Sequence, residues 1–183
     1  MTKISHIAKV LSGAYIKIVP EGEIKYLQVN DFNDEKESSF ATIDLDYKTQ
    51  RHLLKDGDIL FAAKGDYNFS IIYCTRMGAS VASSSFLVIR INDKAVVNPE
   101  YLCWFLNKKD TLSILKNHAV GTAIQSIGKS VVGNCEIDIP PMLVQKMVVE
   151  VANLQQQELL LYREIAKKRE LLTQKQIMEI IKK

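Results

Sequence analysis

From Met142 to Lys183 the chain contains neither glycine nor proline, directly after the pair Pro140-Pro141. Val144, Val148, Val151, Leu154, Leu161, Ile165, Leu172 and Ile180 recur there at intervals of three, four and seven or so, with charges and glutamines between them. That period predicts one amphipathic helix. About 40 helical residues extend roughly 60 Å at 1.5 Å per residue, too long to lie across a domain built from the rest of this chain. An amphipathic helix is stabilised mainly by burial of its apolar face, so the stripe calls for a partner helix packed as a coiled coil. Val151, Leu154, Leu161, Ile165 and Leu172 are the candidate seam. Glu158 and Lys168 fall on the same line, which points to mixed packing rather than a strict two-stranded coil. The alternative is a helix folded back on its own domain.

The remaining residues, 1–141, suit one globular domain, and 47% hydrophobic residues suffice for a core. The opening "MTKISHIAKVLSG" has no long apolar run, so neither a signal peptide nor a membrane span is expected, and the expected location is the cytoplasm. Cys74, Cys103 and Cys135 are odd in number and far apart; they match no zinc or disulfide spacing and read as buried thiols. The net charge of +3 is uneven. Residues 142–183 hold 8 basic and 5 acidic side chains, whereas residues 21–46 hold 8 acids and 2 lysines. Such a balance permits a basic nucleic-acid footprint without demanding one.

Along the chain the pattern predicts a mixed α/β (α+β) domain. "KISHIAKVLSG" reads as a short amphipathic turn or helix ended by Gly13, residues 24–29 as a strand, and the acidic "NDFNDEKESS" as a loop. "KDGDILFAAKGDYNFSIIYCTR" reads as two strands joined by a polar connection from Lys64 to Asn68. Residues 80–91 read as one further strand. Asn98, Pro99 and Glu100 form a strong helix start. A second helix should follow and end near Gly121. "TAIQSIGKSVVGN" reads as a glycine-marked loop before a last strand at 135–139.

Catalytic chemistry finds little support. "DIPPM" has an extra Ile139 and no aromatic after Pro141, which breaks the grip that an amino-methyltransferase motif needs; no glycine-rich cofactor loop precedes it. Glu23-Ile24-Lys25 lacks the upstream acid of a nuclease metal site, and His6, His52 and His118 are isolated. No catalytic residue, metal or cofactor is expected. The polar loops are the better candidates. Lys64, Tyr67, Asn68 and Arg76 surround one hairpin connection, and Gln125, Ser126 and Lys129 populate another loop. These are side-chain types that read base edges and contact phosphates, although a solvated loop explains any one of them taken alone.

Read in order, the chain resembles one half of the DNA-specificity subunit of type I restriction–modification systems. "KISHIAKVLSG", "IKYLQVNDF", "LLKDGDILFAAKGDYNFSIIY", "VNPEYLCWFLNKK" and "GTAIQSIGKSVVGNCEIDIPPMLVQKMVVEVANL" carry the resemblance through their order and spacing. In place of the Thr-Pro often found after the first glycine, "GAYIK" stands here. The resemblance implies a target recognition domain over 1–141 followed by a spacer helix over 142–183. It also implies double-stranded DNA as ligand, and modification (methyltransferase) and restriction (endonuclease/translocase) subunits as the partners that perform catalysis. One domain and one helix imply either a half-subunit or a truncated or silent cassette; the uncovered seam favours the former, and pairing as a homodimer on a bipartite palindromic site is the expectation. The different-class alternative is a coiled-coil adaptor whose globular domain binds protein.

Overall fold

The computed structural model describes residues 1–32, 40–44, 46–121 and 125–182. Residues 33–39 of the acidic loop and 122–124 of the second candidate loop lie outside the described residues. In chain order the elements are β1 (Thr2–Lys3), α1 (Ile4–Ile7), β2 (Ala8–Ser12), β3 (Ile24–Leu27), β4 (Ala41–Ile43), α2 (Tyr47–Gln50), β5 (Ile59–Ala62), β6 (Ser70–Ile72), β7 (Ser80–Ala82) and β8 (Phe86–Ile91). Then come α3 (Pro99–Asn107), α4 (Lys109–Asn117), α5 (Lys129–Asn134), β9 (Glu136–Ile137) and α6 (Met142–Ile181). The mixed α/β domain and the long terminal helix are as the sequence predicts.

Among the described residues two sheets and a short antiparallel pair, β1 with β9, build the domain. The larger has the order β2-β8-β5-β6, all pairs antiparallel; the smaller has the order β4-β3-β7, with β3 parallel to β7. Side chains alternate between faces along a strand, yet Ile59, Leu60, Phe61 and Ala62 are all buried. The larger sheet is therefore covered on both faces. Leu60, Ala62, Phe86 and Val88 pack with Leu27, Leu54, Tyr73 and Ala82, and Phe32 and Phe69 close on Phe86 edge-on. A second cluster joins Ala14, Ile24, Tyr26, Ile43 and Val81 around the smaller sheet. At the open flank of β6, Asn107 stands in for a missing strand. Its Oδ1 accepts from the Ser70 N–H at 2.7 Å and its Nδ2 donates to the Ser70 carbonyl at 2.9 Å, which blunts an exposed edge.

Five segments differ from the sequence expectation. The opening forms only one helical turn, and residues 8–12 extend to pair with residues 91–87 of β8; the cross-strand partner decides here, not local propensity. The strand expected over 80–91 is broken, because β7 pairs in the smaller sheet and β8 in the larger one. Ser83 to Ser85 make the corner, closed by the Phe86 N–H donating to the Ser83 carbonyl at 3.0 Å. The expected loop before the last strand contains α5, held by the fully buried Val132. The second helix, α4, ends at Asn117 rather than near Gly121, and the last strand shortens to Glu136–Ile137. By contrast, Asn98 caps α3 as expected, its side chain accepting from the Glu100 and Tyr101 N–H groups.

A charged pair with a buried carboxylate and a half-buried guanidinium sits at the foot of the larger sheet. Arg90 of β8 grips Asp58 with two donors, Nε to Oδ1 at 2.8 Å and Nη2 to Oδ2 at 2.6 Å. Asp58 also accepts from the Lys55 N–H at 2.7 Å, and Arg90 reaches the Leu53 carbonyl at 3.3 Å. The Asp58 carboxylate holds the guanidinium even further into its charged form.

The chain divides into two compact units, Met1–Gln145 and Lys146–Lys183. The first unit ends on Gln145. Its side chain is fully buried. Oε1 accepts from the Asn98 N–H at 2.9 Å, and Nε2 donates to the Val96 and Pro140 carbonyls at 2.9 and 2.7 Å. The first turn of α6 is thereby stitched to the N-terminus of α3. Gln145→Leu keeps the volume but strands one donor and two acceptors, at an expected cost of about 2–3 kcal/mol. Urea denaturation followed through Trp104 of α3, the chain's single tryptophan, measures it; an unchanged midpoint would deny Gln145 this role.

Candidate nucleic-acid interface

The strand register places several loops at one edge of the larger sheet. Ser12 at the end of β2 pairs with Leu87, Ala62 at the end of β5 pairs with Phe86, and Phe61 pairs with Ser70 at the start of β6. The loops that begin or end at Ser12, Ala62, Ser70 and Phe86 therefore emerge together. Main-chain bonds lace them to one another. The Ala63 N–H donates to the Ser85 carbonyl at 2.9 Å, the Ile127 N–H to the Ala63 carbonyl at 2.8 Å, and the Gly65 N–H to the Gln125 carbonyl at 2.9 Å. Lys64 and Ser126 form an antiparallel bridge, as do Val120 and Ser126.

The two candidate loops, separated by some sixty positions in sequence, thus form one surface. Lys64 and Gln125 are exposed on it, Ser126 is half-buried, and Lys129 follows at the start of α5, also exposed. Tyr67 is 70% exposed, its ring 5.7 Å from that of Phe69. Lys116 of α4 adds a cation by donating to the Asp66 carbonyl at 2.8 Å. An array of lysines, an aromatic ring and a carboxamide on backbone-tied loops can contact phosphates and base edges.

Two of the expected residues stand elsewhere. Asn68 is only 7% exposed, and its Nδ2 donates to the Ala62 carbonyl at 2.9 Å and to the Gly65 carbonyl at 3.4 Å. It braces the loop from inside; its amide donors are spent there rather than presented to a ligand. Arg76 lies past the opposite end of the β5–β6 hairpin, where Ile59 pairs with Ile72, on the order of 10 Å or more from Lys64 at the strand rise. There its Nε donates to the Cys74 sulfur at 3.5 Å and holds that thiol below its usual range. Sequence adjacency suggested one cluster, but a hairpin sends its two ends apart.

Sequence reading missed other residues at the same edge. Tyr15 and Lys17 follow β2, and Ser84 and Ser85 form the corner before β8. The run of three serines before an apolar strand was the available signal. Of the cysteines, Cys103 is buried, with its thiol pushed up to about 12 by burial, while Cys74 and Cys135 are half-buried. Among the described residues no His, Cys, Asp and Glu side chains group as metal ligands, and no helix is long and apolar enough to cross a membrane.

Fold and edge together define a mixed α/β recognition domain that presents a polar, partly basic surface of loops and is followed by a long helix. The family model described as "Type I restriction modification DNA specificity domain" matches residues 2–157. The chain belongs to that family. Solved structures agree in fold. The S subunit of a type I restriction–modification system from M. genitalium superposes with a TM-score of 0.61 at 17% identity, over 85% of this chain and 38% of that one. The HsdS subunit from Thermoanaerobacter tengcongensis gives 0.62 at 15% identity, over 86% and 37%. A chain from a structure describing complex assembly and conformational transition of the type I R-M system gives 0.62 at 16%, over 91% and 40%. This chain therefore spans about two fifths of the length of these relatives. Comparison with curated proteins finds no match.

Proposed function

We propose that this protein is a sequence-specific DNA-binding subunit of a type I restriction–modification complex, a target recognition domain with its spacer helix. The supporting observation is the convergence of two distant polar loops, around Lys64 and around Ser126, into one backbone-tied surface. On this reading the domain supplies no catalysis. It directs methylation by a modification subunit and cleavage by a restriction subunit.

The helix supports the second half of the reading. Val151, Leu154, Leu161, Ile165 and Leu172 are all exposed along α6, and a row of apolar side chains at helical spacing gains stability only when another helix covers it. A second copy of this chain, packed antiparallel, is the occupant we propose. Such a homodimer would read a bipartite palindromic site.

A salt series of duplex binding tests the DNA reading. Lys64→Ala and Lys129→Ala should each weaken binding uniformly across sequences and lower the slope of log affinity against log salt by about 1. Binding that is absent or indifferent to salt would favour the protein-binding adaptor instead.

A further inference from the structure

The segment after Gly13 leaves the larger sheet at the same edge as the lysine-bearing loops, and its base is pinned. The Gly13 N–H donates to the Phe86 carbonyl at 3.0 Å and the Ala14 N–H to the Ala82 carbonyl at 2.9 Å. The Tyr26 hydroxyl donates to the Ala14 carbonyl at 2.7 Å. Gly13 presses so closely on the serine corner that a Cβ there would meet the Ser83 carbonyl oxygen at 2.0 Å. Beyond these anchors the arm is open. Tyr15 is 91% exposed, and Lys17 is exposed beside it.

Tyr15 stands between two clefts. One, of about 730 Å³, is lined by Asp44 and Asp46 as well as Arg51 and His52. The other, of about 450 Å³, runs between the arm and the serine corner; among the described residues it is lined by Lys17, Gln28, Asn30, Ser84 and Ser85 and by no acidic side chain, the Asp31 carboxylate being taken up by the Gln28 N–H at 2.7 Å. Carboxamides offer a donor and an acceptor side by side, the match for the edge of adenine in the major groove, and hydroxyls accept either role. An exposed aromatic ring offers an apolar surface for the thymine methyl that a duplex presents in its major groove. A cleft whose two walls are hydrogen-bonded to each other also keeps its width before any ligand arrives, which limits the ordering cost of binding.

We infer that the Tyr15 arm and the cleft behind it form a base-reading element, distinct from the phosphate-contacting lysines Lys64 and Lys129. Gln28, Asn30 and Ser84 take base edges, Tyr15 lies against a thymine methyl, and Lys17 takes the neighbouring phosphate. The inference rests on the DNA reading proposed above and names where its specificity resides.

The test uses the full chain and a library of duplexes with randomised positions, selected by binding and sequenced at several salt concentrations. Gln28→Ala and Asn30→Ala should each relax preference about tenfold at one or two base pairs and leave the salt slope unchanged. Asn30→Asp keeps the shape but removes the donor, so it must change the preferred base if Asn30 reads one. Tyr15→Ala should weaken binding about tenfold at sites with thymine at one position, and Lys17→Ala should lower the salt slope by about 1 with the motif intact. Melting curves of the variants control for folding. An intact motif and affinity in all of these, while Lys64→Ala still weakens binding, overturns this inference and leaves the wider reading standing. A wild-type chain that selects no duplex brings down both.

Discussion

Replacing Arg90 by methionine is expected to destabilise the domain by about 3–5 kcal/mol, because it leaves the Asp58 carboxylate buried without its counter-ion. For a chain of this size about 3 kcal/mol corresponds to a melting temperature lower by roughly 6–12 °C. The asymmetry of the pair makes the prediction sharper. Asp58 is 2% exposed whereas the Arg90 side chain keeps 26%, so a stranded guanidinium can still reach water and a stranded carboxylate cannot. Asp58→Asn should therefore cost less than Arg90→Met, since an asparagine oxygen can still accept from the Lys55 N–H. The double variant should be more stable than the sum of the two losses implies, with a coupling of about 1–3 kcal/mol. Thermal or urea melts of the four proteins measure it. Additive losses would mean that the two side chains act independently, whatever their distance.

The second large effect concerns the target site. On the proposed reading, two identical domains related by a twofold axis present identical surfaces in opposite directions, so they should select an interrupted palindrome. Deleting residues 155–161 keeps Leu154 and Ile165 in phase, four positions apart, while shortening the helix by roughly 10 Å. DNA advances about 3.4 Å per base pair, so the preferred gap should shrink by about three base pairs, or binding should be lost, with the half-site bases unchanged. Methylation mapping in a host that expresses the variant with its modification subunit reads the outcome. A gap that stays fixed would show that the helix is no ruler. An asymmetric bipartite site from the unaltered chain would mean that its partner is a different specificity chain.

What could be read from the sequence follows a physical division. Elements punctuated by local chemistry were legible: α3 through its Asn98 cap and Pro99, α6 through its unbroken period, and the β5–β6 hairpin through the glycines and polar residues on either side. Elements decided by a distant partner were not. Residues 8–12 become a strand only because β8 lies beside them, and residues 80–91 break only because two sheets compete for them. The candidate site divides in the same way. Polar loop composition pointed to Lys64 and Gln125, but nothing local reveals that Asn68 turns inward or that Arg76 lies at the far end of its hairpin. The Tyr15 arm shows in the sequence only as "GAYIK" in place of Thr-Pro, because three separate segments assemble its surroundings.

The lacing of the edge loops has a consequence for change over generations. The bonds between Ala63 and Ser85, Ala63 and Ile127, and Gly65 and Gln125 join backbone groups only. Every residue but proline supplies the same donor and acceptor, so these ties are indifferent to which side chains the exposed positions carry. Positions such as Tyr15, Lys64 and Gln125 can therefore be rewritten one at a time while the frame beneath them keeps its shape. Gly13 and Asn68 have no such freedom, because one must lack a side chain and the other is itself a strut. A lineage of this domain can alter what its surface touches without having to fold anew.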